Sequence, residues 1–198
     1  MRSAARLETI LILPTALILG MPATAAVESG VEFDDVAVVV TAGQEAKPLR
    51  LCATGLLRYK RIFRGYAAAL YREDCAVAEP DLAAASMRLE LSYFWSIEGR
   101  RFGRAAESLL RRNLDPREFA AIESRMRELH ASYQSVSPGD RYALTWTPGV
   151  GTELSLNGRP LVFVDGEDFA RAYFDLWLGD APMDEKLRNA LLARSSAN

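Results

Sequence analysis

The segment GLLRYKRIFRGYAAALY, residues 55–71, gives the first indication of how this chain folds. It places Arg58 and Tyr66 in a stretch that is too apolar to be a surface loop. Burying a cation or a phenol costs free energy unless each group finds a polar partner. We therefore interpret the two side chains either as anchors of a structural hydrogen-bond network or as the polar end of a ligand pocket. In the structural interpretation, Arg58 forms an ion pair with a carboxylate such as Glu90.

The two ends of this segment are predicted to be antiparallel strands. Residues 49–57 and 62–72 have strand-like composition, and the polar residues 59–61 form the turn between them. The three alanines at 67–69 have high helix propensity, but their aromatic and aliphatic neighbours favour a buried strand. Further strands are predicted over residues 31–40, 87–95, 142–146, 152–156 and 161–164.

Four helices are predicted between and after these strands. They cover residues 96–113, 115–133, 166–178 and 184–194. Asp115, Pro116 and Glu118 have the spacing of a capping box with proline at the first helical position. Asn157-Gly158 indicates a tight hairpin. Strands, then helices, then a hairpin and more helices predict an α+β fold, in which helices cover one face of a mainly antiparallel sheet.

The composition is that of an ordinary globular protein. Of the 198 residues, 49% are hydrophobic and 25% are charged, and the formal net charge is -2. The length suits one domain with a sizeable core. No basic excess is available to neutralise phosphates, so no nucleic-acid partner is expected. The clustered arginines of the first long helix are interpreted as a solvated helix face: Arg100, Arg101, Arg104, Arg111 and Arg112.

Residues 1–25 resemble a secretory signal peptide. Arg2 and Arg6 precede an apolar run that is too short to span a bilayer, and Ala23-Thr24-Ala25 provides a small-residue cleavage site. The alternative is a buried N-terminal helix, although Pro14 and Gly20 would interrupt it. We predict that residues 26–198 form an exported domain, periplasmic or secreted, without a transmembrane segment after signal removal.

If the chain is exported, Cys52 and Cys75 have two possible states, and the first is a disulfide between them. If the segments flanking residues 55–71 pair as antiparallel strands, the two thiols come close together, and an oxidising compartment allows them to join. The alternative is two separate buried thiols. No metal-ligand spacing surrounds either cysteine, and His130 is the only histidine. We therefore predict no metal site, no cofactor and no Ser-His-Asp triad.

Several separated motifs together resemble the chalcone isomerase-like family, in particular its bacterial exported branch. The resemblance extends over about residues 28–193, and it implies an open-faced β-sandwich with a cleft between a large antiparallel sheet and helices. The motifs are residues 55–58 (GLLR), 66–71 (YAAALY), 139–140 (GD), 149–152 (GVGT), 156–159 (LNGR), 168–170 (DFA) and 176–179 (LWLG).

The resemblance also implies which residues face that cleft. In the enzymes of this family, a strand arginine and hydroxyl-bearing residues hold the substrate's carbonyl and phenolate. Arg58 matches that arginine, but Phe102 and Leu109 occupy the helix positions that supply a tyrosine and an asparagine. We therefore predict no catalytic residues. The fatty-acid-binding members use an arginine and a tyrosine to hold a carboxylate, and this role fits Arg58 and Tyr66.

The preferred interpretation is a non-catalytic binder of a small amphipathic carboxylate, such as a fatty acid. One alternative is an isomerase or lyase that uses Arg58 to stabilise an enolate or phenolate. Another is a scaffold whose cleft is filled by Phe102, Leu109 or Trp177. An open apolar cleft of roughly a few hundred cubic ångströms favours the first two interpretations over the third.

Overall fold

Seven antiparallel strands form one curled sheet in the computed structural model, which describes residues 26–39, 47–60, 62–76 and 82–193. The strands follow one another across the sheet in chain order, each antiparallel to the next. The predicted signal peptide at residues 1–25 lies outside the described residues. The strands are β3 (Val36–Val39), β4 (Lys47–Tyr59), β5 (Phe63–Arg72), β6 (Met87–Tyr93), β7 (Arg141–Thr147), β8 (Gly151–Leu156) and β9 (Arg159–Val164).

The N-terminal part of the described chain departs from the single strand predicted over residues 31–40. It contains β1 (Ala26–Glu28) and β2 (Val31–Phe33), which form a separate two-stranded sheet, and β3 follows after Asp34 and Asp35. The strand divides because its two halves have different partners: β2 pairs with β1, and β3 pairs with β4.

Four helices are described: α1 (Gly99–Asn113), α2 (Pro116–Ala131), α3 (Glu167–Leu178) and α4 (Glu185–Leu192). The capping box predicted for α2 is confirmed. The Asp115 carboxylate accepts hydrogen bonds from the backbone N–H groups of Arg117 and Glu118, and the Glu118 carboxylate accepts one from the N–H of Asp115. The antiparallel sheet and its helices confirm the α+β prediction. No helix in the described ranges is both long and apolar enough to cross a membrane.

The sheet is buried on both faces where β5 crosses it. Tyr66, Ala68 and Leu70 belong to the main core with the helices, whereas Ala67 and Ala69 pack on the other face with Phe33, Leu49 and Tyr71. This two-sided burial explains why residues 67–71 form an uninterrupted apolar run. The strand predicted for the three alanines is confirmed.

A disulfide joins Cys52 of β4 to Cys75, which follows β5. Antiparallel pairing of β4 with β5 carries the chain out and back, so that the two Cα atoms lie 5.2 Å apart. This separation lies within the ordinary range for bonded cysteines. The bond therefore closes a loop around residues 55–71.

Replacing both cysteines with alanine is expected to lower the free energy of unfolding by about 3 kcal/mol. The bond closes a loop with a sequence separation of 23 residues, and a cross-link of that length restricts the unfolded chain by about this amount. Denaturant unfolding of the double variant and of reduced wild-type protein should give the same midpoint. Quantitative alkylation of both thiols in unreduced, denatured protein from the producing cells would show that no bond forms there.

Candidate ligand-binding cavity

A cavity of about 650 Å³ lies between the sheet and the helices. Its walls are mainly apolar, and its volume is within the range typical of small-molecule sites. The sheet contributes Leu57, Leu89, Leu91, Leu144 and Leu154, and the helices contribute Phe102, Ala105, Ala106, Leu176 and Trp177. The open apolar cleft named in the sequence analysis is thus present.

The cavity exists because small residues of α1 face the sheet. Helix α1 packs closely on α2 at Gly103, where a Cβ atom would lie 2.9 Å from the Cγ atom of His130. Phe102 and Ala106 of the same helix line the cavity, and the ring of Phe102 contacts that of Tyr93 on β6. Ala105 and Ala106 contribute only methyl groups to this wall, which leaves room for the cavity.

Phe102 stands in a cluster of aromatic rings at one side of the cavity. Its ring centroid lies 5.3 Å from those of Tyr93, Tyr133 and Tyr142. Phe102 and Trp177 therefore form walls and leave the cavity open, and Leu109 is not one of its lining residues. This geometry does not support the scaffold alternative.

Tyr66 lines the cavity, as the resemblance implied, and its hydroxyl is bonded on both sides. It accepts a hydrogen bond from Nε1 of Trp177 at 2.9 Å and donates one to Sδ of Met183 at 3.0 Å. Burial is the main cause that raises the pKa of Tyr66 well above its ordinary value, so the phenol stays protonated. Because a thioether is a weak acceptor, a bound oxygen could take this hydrogen bond from Met183.

Tyr93 is another phenol on the cavity wall, and it is not among the site residues predicted from the sequence. It is buried, its ring lies 5.6 Å from that of Tyr66, and burial raises its pKa well above the ordinary value. Within the described part of the chain, its hydroxyl has no hydrogen-bond partner. The signal was available in the sequence, because Tyr93 continues the alternation of Leu89 and Leu91 on the helix-facing side of β6.

Arg58 does not lie where the sequence analysis placed it. Leu57 is the partner of Tyr66 across the strand pair, and Arg58 is the partner of Arg64. The register shifts between these two pairs, with one step along β4 matching two along β5, so Arg58 follows the alternation of β4 and lies on the opposite face from the cavity-lining Leu57. Arg58 is exposed and is not a lining residue, so the structure does not bring the two predicted ligand contacts together.

The predicted alternative partner of Arg58 is engaged elsewhere. The Glu90 carboxylate forms ion pairs with Arg88 at 3.2 Å and with Arg141 at 2.8 Å. Arg58 is therefore not among the residues that line the cavity, and in the described ranges Glu90 is not its ion-pair partner; a ligand contact for Arg58 stays a prediction.

Among the described residues, two arginines line the mouth of the cavity. The Arg64 guanidinium lies 4.6 Å from the centre of the Phe94 ring and donates a hydrogen bond to the carbonyl of Ser29. Arg101 is largely exposed, and its Nε atom lies 3.9 Å from the Glu98 carboxylate. Arg101 is thus the cation with more freedom to turn towards a ligand. The sequence predicts a solvated helix face for Arg101, and the structure also places it in the lining of the cavity.

His130 has a structural position between helices. Its Nε2 atom lies 3.0 Å from the hydroxyl of Tyr173, which lies 3.1 Å from that of Tyr133. Burial is the main cause that lowers the pKa of His130 below its ordinary value. Within the described ranges, no group of three or more histidine, cysteine, aspartate or glutamate residues has the arrangement of a metal site.

Comparison with known proteins is consistent with this architecture. No curated protein matches the sequence significantly. The structure is similar to the crystal structure of a fatty-acid binding protein from Arabidopsis thaliana, with a TM-score of 0.61 and 16% sequence identity, covering 85% of this chain and 96% of that one. At this identity, the similarity establishes the shared fold. The sequence model for chalcone isomerase-like proteins matches residues 27–193, and the chain therefore belongs to the chalcone isomerase-like family.

Proposed function

We propose that this protein is a non-catalytic binding protein for a small amphipathic carboxylate, such as a fatty acid. The observation that carries the proposal is the open apolar cavity of about 650 Å³, whose lining arginines lie at the mouth. An acyl chain would occupy the interior, and the carboxylate would remain at the entrance. The similar Arabidopsis protein is described as a fatty-acid binding protein, which supports this ligand class.

The apolar interior supplies the affinity in this proposal. Each buried methylene contributes about 0.8 kcal/mol, so about ten of them provide roughly 8 kcal/mol before the costs of association. The hydroxyls of Tyr66 and Tyr93 are neutral donors in the interior. These hydroxyls can donate hydrogen bonds to an oxygen atom of the ligand, and they bring no charge of their own into the apolar interior.

The carboxylate belongs at the mouth because an ionised carboxylate is expensive to bury without a cation. Arg101 lines the mouth, and its guanidinium can form two charge-assisted hydrogen bonds with a carboxylate. In this proposal, Arg101 takes the role that the family resemblance gave to Arg58. Tyr66 keeps its place in the ligand cavity.

Arg101→Glu is expected to weaken binding of a fatty acid about tenfold or more, because it removes a charge-assisted contact and adds repulsion. Binding of the corresponding fatty-acid methyl ester should change little. Titration of each ligand, followed by the fluorescence of Trp95 and Trp177 in the cavity wall, measures both effects.

Arg104→Glu is the matched control, since Arg104 is exposed on the same helix but does not line the cavity. If both variants lose the same amount of fatty-acid affinity, Arg101 acts only through long-range electrostatics and does not contact the carboxylate. Loss of binding in Arg58→Ala with normal binding in Arg101→Glu would restore the assignment implied by the resemblance. Failure of the wild-type protein to bind any fatty acid would contradict the proposed function itself.

The isomerase or lyase alternative receives less support from the cavity. Cyclisation of a hydroxychalcone needs donors directed at the oxygen on which negative charge develops. The arginine matching the family's catalytic one is outside the cavity, and Phe102 supplies no donor. Burial also raises the pKa values of Tyr66 and Tyr93, so both phenols stay protonated and no phenolate is available to act as a base.

Export to the periplasm or the medium is part of the proposal, as is membership of the bacterial exported branch. The signal-like residues 1–25 and the Cys52–Cys75 bond support it, because disulfides persist mainly in oxidising compartments. The alkylation measurement described above also tests this point. Fully reduced thiols in protein taken from the producing cells would contradict export.

A further inference from the structure

Large apolar side chains are exposed around the mouth of the cavity. Tyr59, Phe63 and Trp95 line the mouth and are 63%, 51% and 57% exposed, and Ile62 in the adjoining turn is 74% exposed. These four are half of the eight large exposed hydrophobic side chains in the described ranges. Contiguous exposed apolar surface of this kind marks an interaction site.

The same hairpin places cations beside these apolar groups. Lys60 is exposed in the turn, Arg58 is exposed near the end of β4 on the opposite face of the hairpin from Tyr59, and Arg101 lies across the mouth. Glu98, the carboxylate beside Arg101, is already paired with Arg100 at 2.7 Å. The chain as a whole has a net charge of -2, whereas Arg58, Lys60 and Arg101 make this rim basic. We call the seven residues the docking face: Arg58, Tyr59, Lys60, Ile62, Phe63, Trp95 and Arg101.

The chemistry of the docking face suits the surface of an anionic lipid bilayer. Basic residues are attracted to anionic headgroups, and aromatic side chains favour the interface between headgroups and acyl chains. An aliphatic side chain in a turn can enter that interface while the flanking cations stay with the headgroups. The face also surrounds the entrance of an apolar cavity, and a bilayer is where a fatty acid would be dissolved.

We propose that the docking face binds the surface of an anionic membrane, with Ile62 and the aromatic side chains inserted among the headgroups. The cavity mouth then opens towards the acyl layer, and a ligand passes between membrane and cavity without crossing water. The passage of ligand rests on the proposed function, but the membrane contact does not.

Co-sedimentation with vesicles tests the membrane contact. The wild-type protein is expected to bind vesicles of phosphatidylcholine mixed with phosphatidylglycerol, and to bind vesicles of phosphatidylcholine alone much less. Binding should weaken as salt is raised, because salt screens the exposed charges. Phosphatidylcholine with brominated acyl chains, mixed with phosphatidylglycerol, should quench the exposed Trp95, and Trp95→Phe should remove most of that quenching.

Two substitutions separate the apolar and electrostatic parts of the contact. Ile62→Ser and Arg58→Glu should each weaken vesicle binding about tenfold. Neither residue lines the cavity, so both variants should bind soluble fatty acid like the wild type. Phe163→Ser and Arg159→Glu are the matched controls, since both residues are exposed on β9 at the far edge of the sheet.

Each outcome decides one of the two proposals. Vesicle binding with no fatty-acid binding would support the docking face and contradict the proposed function. Fatty-acid binding without vesicle binding, or equal vesicle binding by Ile62→Ser, Arg58→Glu and their controls, would overturn the docking face. A stable dimer in solution that Ile62→Ser dissociates would assign the face to a second copy of the chain, which also overturns the membrane proposal.

Discussion

Ala106→Phe is expected to abolish fatty-acid binding and to leave the chain folded. Ala106 is buried on α1 and lines the cavity, so a benzyl group at this position occupies space that the acyl chain needs. Each expelled methylene costs about 0.8 kcal/mol, so expelling about four weakens binding roughly a hundredfold or more. Calorimetric titration with a soluble fatty acid measures the loss, and the unfolding midpoint reports whether the fold is kept.

The matched control is Ala120→Phe, which adds the same group to an exposed position on α2. This variant should bind like the wild type. If Ala106→Phe binds equally well, the ligand does not occupy the cavity beneath α1. The proposed site would then be wrong even if the protein binds fatty acids elsewhere.

Gly151→Ala should have the largest effect on stability among the changes considered, about 4 kcal/mol. Gly151 begins β8 with a φ of 131°, which residues with a Cβ atom rarely adopt. An added Cβ would lie 2.6 Å from the carbonyl oxygen of Val164, and this oxygen is backbone of the paired strand β9. The clash therefore cannot be relieved without disturbing the β8–β9 pairing. Denaturant unfolding gives the free-energy difference.

Gly149→Ala separates backbone strain from the clash. Gly149 lies in the same turn with a φ of 73°, but nothing lies within 4 Å of the position of its Cβ atom. Its replacement should cost only about 1 kcal/mol, the cost of a left-handed conformation. If both variants lose a similar free energy of unfolding, the clash with the Val164 carbonyl does not add to the cost of Gly151→Ala.

The fold could be predicted in most of its parts because local signals agreed with the tertiary structure. The capping residues at Asp115 and the Asn157-Gly158 turn act locally, and both stand at the predicted element boundaries. The predicted strand over residues 31–40 was wrong as a single element. Its division depends on which neighbours β2 and β3 pair with, and strand composition does not contain that information.

The candidate site was harder to predict because a cavity is a property of several elements at once. The apolar character of residues 55–71 suggested a buried Arg58, but the alternation along β4 sends Leu57 inward and Arg58 outward. Counting this alternation from Leu57 predicts an outward Arg58. Arg101 could not be assigned in the same way, because its place at the mouth depends on how α1 crosses the sheet.

Native mass spectrometry of protein purified from the cells that produce it tests the central claim most directly. The proposed function predicts one non-covalent adduct per chain, with the mass of a fatty acid, that is lost on denaturation. Ala106→Phe, prepared in the same way, should carry no adduct. A wild-type protein without any adduct that also fails to take up added fatty acid, or an adduct retained equally by Ala106→Phe, would contradict the claim that this cavity holds a fatty acid.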